Sequence, residues 1–207
     1  MVRGGDFVEG VYFFWFSWIG WIVTTFFMNK NIERTILSFV ILLSIILSSS
    51  TYQLEGLSIR LSFLPLLIFS FVYMANTKGI TLSYNLISSL IISIGYVCFQ
   101  LFELFDPIWL IFDRKWMLSI VILYLTLMLV KGFYNRLSIA IIGVCNGDIL
   151  HSFILKKFFN GIEIGSLLFL DALAAILLAI VVWNSFEKLA QYFEVNFHRG
   201  KARRIHR

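Results

Sequence analysis

Seven apolar stretches follow one another along the chain with only short polar breaks between them. In hydrocarbon every backbone N–H and C=O needs a partner within the protein, so a chain of this kind spans as helices or as a closed barrel. The stretches run for about 15 to 22 residues, and barrel strands are about ten residues long with polar alternation, so helices are predicted. Composition agrees: 59% of the 207 residues are hydrophobic and 14% charged, with a mean hydropathy of +0.87, outside the range of a water-soluble domain. The expected fold is all-α, a polytopic transmembrane helical bundle of about seven spans.

The expected spans are Glu9 to Met28, Thr35 to Gln53, Leu61 to Ala75, Ile80 to Leu101, Trp116 to Val130, Leu137 to Leu155 and Ser166 to Phe186. The third and fifth are short for a hydrocarbon core of about 30 Å, so extension into Gly56 to Arg60 and Phe112 to Lys115 is expected. A count of six is also compatible with the pattern. The first stretch runs too long for a cleavable signal and is read as a retained anchor. Pro65 is expected to kink the third span.

Lys and Arg in alternate connections set orientation, because the cytoplasmic side keeps the positive excess. With the N-terminus outside, the cytoplasmic connections hold Lys30, Arg34, Lys78, Lys131, Arg136, Lys188, Arg199, Lys201, Arg203, Arg204 and Arg207. The outer ones hold only Arg3, Arg60, Arg114, Lys115, Lys156 and Lys157. The N-terminus is therefore expected outside and the C-terminus in the cytoplasm. Asp6, Glu9, Glu55, Glu103, Asp106, Asp113 and Glu163 then fall outside. The connection from Phe102 to Lys115, with Pro107, Trp109, Leu110, Ile111 and Phe112, reads as a lid along the interface. Trp15, Trp18 and Trp21 read as interfacial anchors and helix-packing residues.

Cys98 and Cys145 both fall inside spans without CxxC spacing and are read as packing residues. His198 and His206 belong to the basic tail, which leaves His151 as the histidine at membrane depth. It belongs to the run Asn146-Gly147-Asp148-Ile149-Leu150-His151, with Asp171 early in the next stretch. An Asp at the centre of a membrane helix costs roughly 3 kcal/mol, so such residues face a partner or a water-filled cavity. His151, Asp171, Asp148 and Asn146 are the candidate intramembrane polar site.

Gly143, Gly147 and His151 recur every four residues, as do Asp171, Ala175 and Ala179. In an antiparallel hairpin the contacting residues have numbers of constant sum. That condition pairs Gly143 with Ala179, Gly147 with Ala175 and His151 with Asp171, a small-residue seam ending in a polar pair. Such a pair either locks the hairpin or carries protons or substrate, because His titrates near neutrality.

The chain contains no HExxH, GxSxG, GxGD-like or phosphate-loop pattern, so no enzymatic activity is expected. No metal or other cofactor is implied. Residues 187–207 form a second unit. Phe186, Leu189, Ala190, Phe193 and Phe197 fall at helical spacing, predicting an amphipathic helix on the membrane surface. Arg199, Lys201, Arg203, Arg204 and Arg207 follow as a cytoplasmic cluster for anionic lipid headgroups. A nucleic-acid partner is not expected.

The opening Glu9-Gly10-Val11-Tyr12-Phe13-Phe14-Trp15-Phe16-Ser17-Trp18-Ile19-Gly20-Trp21, the Met28-Asn29-Lys30 turn and the overall size resemble the YphA-type membrane proteins of bacilli. The resemblance implies a multi-pass protein of the bacterial cytoplasmic membrane and carries over no functional residue. Two functions follow as expectations. The first is a membrane scaffold or assembly partner that acts by binding other membrane proteins or lipids, with another membrane protein or a second copy of the chain as the expected partner. The second is a small proton-coupled transporter or permease using His151, Asp148 and Asp171.

Overall fold

The computed structural model describes residues 9–54, 57–106, 108, 113–159 and 161–205. In chain order it contains α1 (Val11–Ile22), α2 (Ile32–Leu47), β1 (Thr51–Leu54), β2 (Leu57–Arg60), α3 (Leu64–Ala75), α4 (Ile80–Phe105), α5 (Arg114–Leu129), α6 (Phe133–Lys156), β3 (Ile162–Ile164) and α7 (Leu167–Ile205). A π-helical turn, Val23–Phe27, continues α1, and a 3₁₀ turn, Leu61–Phe63, leads into α3. Every expected span contains a helix. By length and composition, three of them are long and apolar enough to cross a membrane: Ile80–Phe105, Phe133–Lys156 and Leu167–Glu194.

The helical class holds, and a three-stranded sheet is added to it. β1 pairs antiparallel with β2, Thr51 opposite Arg60, and β2 pairs parallel with β3, Leu57 alongside Ile162. The second span accordingly stops at Leu47 instead of reaching Gln53. There the hydroxyls of Ser48 and Ser49 donate back to the carbonyls of Ile45 and Ile46, a local alternative to continued helix. The expected extension of the third span through Gly56 to Arg60 is corrected in the same way, since Leu57–Arg60 is strand. Pro65 lies in the first turn of α3, where its missing N–H costs no helical bond.

α4 and α6 are the most closely packed pair. A Cβ on Gly143 would lie 2.6 Å from Ile92 Cγ2 and 2.9 Å from Ser89 O, and one on Gly147 would lie 2.8 Å from Tyr96 Cδ1 and 3.1 Å from Ser93 O. Residue numbers on the two helices rise together, so the helices run parallel. The seam expected between Gly143, Gly147, Ala175 and Ala179 is therefore corrected: the glycine face of α6 meets a serine face of α4. Spacing by four marks a face that permits close approach without saying which helix takes it.

α7 runs unbroken from Leu167 to Ile205, so the segment from Glu187 onward continues the last span as one helix. The side chains of Arg199, Lys201, Arg203 and Arg204 lie outside the described residues, as do Arg207 and residues Arg3, Asp6, Glu55, Pro107, Trp109, Leu110, Ile111 and Phe112.

The strands, the C-terminal ends of α4 and α6 and the N-terminal ends of α1, α5 and α7 gather at one end of the bundle, called here the sheet end. Arg60 ties it together. Its Nε and Nη2 meet Glu163 Oε1 at 2.9 and 2.7 Å, and its Nη1 donates to Ser48 O at 2.6 Å.

Candidate functional site

At the sheet end a cavity of about 210 Å³ lies among α4, α5, α6, β3 and the start of α7. Its polar wall is Tyr96 and Gln100 from α4, Arg114 and Lys115 from α5, Asp148, His151 and Ser152 from α6, Glu163 from β3, and Ser166. Its apolar wall is Leu118, Leu155, Ile162, Leu168, Phe169 and Ala172.

Asp148 organises this wall. It is 7% exposed, and a carboxylate so buried persists only where hydrogen bonds replace water. Tyr96 donates its hydroxyl to Oδ1 at 3.2 Å, and the Gly165 N–H donates to Oδ2 at 2.9 Å. Gly165 sits at φ +70° with its α-carbon against the Phe63 ring, so the position takes glycine on both conformational and steric grounds. The Tyr96 hydroxyl in turn accepts from Gln100 Nε2 at 2.8 Å, and Gln100 Oε1 accepts from Arg114 Nη2 at 2.6 Å. Arg114 Nε completes the chain with an ion pair to Glu103 at 2.8 Å. A continuous polar path thus runs from the β3–α7 turn, across α6 and α4, to α5.

Asp171 has a different task. It is fully buried, accepts the N–H of Phe13 at 2.9 Å and that of Gly10 at 3.0 Å, and lies 3.5 Å from Lys115 Nζ. Gly10 occupies the N-cap of α1 and offers no side-chain acceptor, so the carboxylate of α7 satisfies N–H groups that helix geometry leaves open. Lys115 lies 4.6 Å above the Tyr12 ring, binding α1, α5 and α7 together.

The expected His151–Asp171 contact is therefore corrected, because both carboxylate oxygens of Asp171 are taken by α1. His151 is half-buried and lines the cavity with Asp148. Among the described residues neither His151 nor Ser152 forms a hydrogen bond or ion pair, and Ser152 is only 2% exposed. Asn146 is half-buried and lies off the cavity. Sequence reasoning missed Tyr96, Gln100, Arg114, Lys115, Ser152 and Gly165. One available signal was the spacing of Tyr96 and Gln100, which puts both polar groups on one face of an otherwise apolar helix.

The model of the YphA-like integral membrane protein family matches residues 9–205. The chain belongs to that family. It is 28% identical over 183 residues to the Uncharacterized protein YphA of Bacillus subtilis (strain 168), an alignment covering 88% of this chain and 91% of the relative. No solved structure matches it. As a YphA-like protein the chain is integral to a membrane, and its long helices expose large apolar side chains such as Ile87, Leu90, Phe153 and Val182. Among the described residues of this YphA-like protein, no three His, Cys, Asp or Glu side chains are grouped so as to hold a metal ion.

Proposed function

We propose that this YphA-like protein binds a small polar solute at the sheet end of its bundle, as the substrate site of a small permease. The observation that carries the reading is the cavity lined by Asp148 and His151. A protein acting only as a scaffold has no use for a cavity edged with ionisable side chains, and polar groups within membrane helices mark substrate or ion paths. The wall offers both hydrogen-bond signs. Among the described residues Ser152 and His151 are unengaged, and Glu163 Oε2 accepts no bond, since both Arg60 bonds go to Oε1. Beyond the cavity Ile92, Ile122, Ile142 and Ile176 are fully buried, so the interior toward the opposite end is packed with apolar side chains. With seven spans and the N-terminus outside, the excess of positive charge puts the sheet end on the outer face of the cytoplasmic membrane.

The test is a panel of amino acids, small carboxylates and amines added to the detergent-purified protein, read as a shift in melting temperature. A solute that stabilises the wild type and not His151→Ala or Ser152→Ala, each folded without ligand, supports the reading and defines what to assay for flux in proteoliposomes. If no class of solute moves the melting temperature, the cavity is a packing defect.

A second reading rests on α7, which runs past the bundle and leaves Phe186, Leu189, Tyr192 and Phe193 exposed. That surface suits an assembly partner or a second copy in the membrane. A stoichiometric protein recovered with the wild type and lost on Leu189→Glu would favour it.

A further inference from the structure

At the end opposite the sheet, the π-helical turn that finishes α1 leaves a cleft of about 250 Å³ against the first turns of α2, lined by Trp21, Thr25, Arg34, Ser38, Phe39 and Leu42. We propose that this cleft seats one anionic phospholipid, with Arg34 as the ligand of its phosphate.

Polarity along the cleft is graded as a lipid is. Arg34 lies nearest the chain reversal, followed by the hydroxyls of Thr25 and Ser38, 3.5 Å apart, and then by Trp21, Phe39 and Leu42. From Arg34 to Leu42 the helix rises about 12 Å, long enough to lay the first half of an acyl chain along Phe39 and Leu42. The cleft opens on the outside of the bundle, where Phe27 and Ile32 beside it and Phe39 in its wall are 80%, 79% and 62% exposed, the exposure expected of a surface that meets acyl chains.

The charge of Arg34 is not used up within the protein. One nitrogen, Nη1, donates to Thr25 O at 3.2 Å, a carbonyl at the finishing turn of α1, where a cation is favourable. That employs one of five guanidinium N–H donors. Among the described residues Arg34 forms no ion pair. It also stands in the first turn of α2, where its own helix dipole disfavours a cation and favours an anion. A phosphate placed between Arg34 and that turn satisfies both groups. Planar donors that bind phosphate through two bonds at once are a property of arginine, and lysine lacks it.

The full-length protein, purified in mild detergent and exposed to equal amounts of phosphatidylglycerol and phosphatidylcholine, is read by native mass spectrometry. The basic tail is common to all variants, so only differences between them count. The wild type should retain one more phosphatidylglycerol per chain than Arg34→Gln, whose preference over phosphatidylcholine should fall by roughly fivefold. Arg34→Lys should recover part of the preference. Leu42→Trp, which fills the apolar half of the cleft and leaves Arg34 in place, should lose the same lipid and decides the matter if Arg34→Gln does not fold. Equal phosphatidylglycerol retention by the wild type and either Arg34→Gln or Leu42→Trp would overturn the proposal. So would a lipid lost from Arg34→Gln that is phosphatidylcholine as often as phosphatidylglycerol.

Discussion

The carboxylate of Asp171 accepts the backbone N–H of Phe13 at 2.9 Å, across 158 residues of sequence. A helix is thus capped by a side chain that belongs to another helix at the far end of the chain. Asp171→Ala leaves the N–H groups of Gly10 and Phe13 and the Lys115 ammonium without this partner in a buried setting. A loss of roughly 2 kcal/mol is expected. Asp171→Asn keeps an acceptor and should lose less. Thermal unfolding followed by tryptophan fluorescence, to which Trp15, Trp18 and Trp21 on α1 contribute half of the six indoles, reads both, and equal melting temperatures for alanine and asparagine would rule out capping as the role.

Close approach of α4 and α6 makes Gly143 and Gly147 intolerant of a methyl group. A Cβ at 143 meets the Ser89 carbonyl and the branched Ile92 carbon, which cannot swing aside, whereas at 147 the nearest atoms are in the Tyr96 side chain. Gly143→Ala should therefore cost more than Gly147→Ala, within about 1–3 kcal/mol for overpacking. Ala175→Gly on α7 should leave that interface alone. Melting temperatures of the three variants rank them, and the reverse order would place the tight contact elsewhere.

Tyr96 stands between Gln100 and Asp148, so removing its hydroxyl unsatisfies two buried groups. Tyr96→Phe is expected to cost about 1–3 kcal/mol. Asp148→Asn should cost a similar amount, since the Tyr96 and Gly165 donors then face a weaker acceptor. Because the residues share one hydrogen bond, the double variant should be less destabilised than the sum of the singles, by about 1 kcal/mol. A double-mutant cycle by denaturation in detergent measures the coupling, and simple additivity would mean that the 3.2 Å contact contributes nothing.

Much of this architecture was legible in the sequence, and what was not has identifiable causes. Apolar runs located all seven helices because hydrocarbon leaves a spanning backbone few alternatives. Strands β1 and β2 were not located, since four residues give too short a period to separate strand from helix. Their signal was the two-residue Glu55-Gly56 break between two such runs, and β3 joins them from about a hundred residues away. At the site, the cost of burying Asp148 and Asp171 singled both out as residues needing partners. The identity of those partners depends on helix arrangement. Asp148 is served by α4 and by the Gly165 turn, and Asp171 by the backbone of α1, whose N–H groups leave no trace in the side-chain code.

Orientation has a direct readout. With Cys98→Ser as background, since Cys145 is buried, Asp106→Cys at the sheet end should react with a membrane-impermeant maleimide on intact cells. Lys78→Cys at the other end should react only after the cells are opened. The opposite pattern would invert the assignment and turn the cavity toward the cytoplasm.

The parallel alignment of α4 with α6 bears on how the chain is made. Asn85, Ser88, Ser89, Ser93 and Gln100 are buried in the finished protein, yet α6 is synthesised only after α5. For that interval the hydroxyl-rich side of α4 lacks the helix that covers it in the finished protein. A chain halted after α5 would keep it uncovered, and such a fragment is a ready target for membrane quality control.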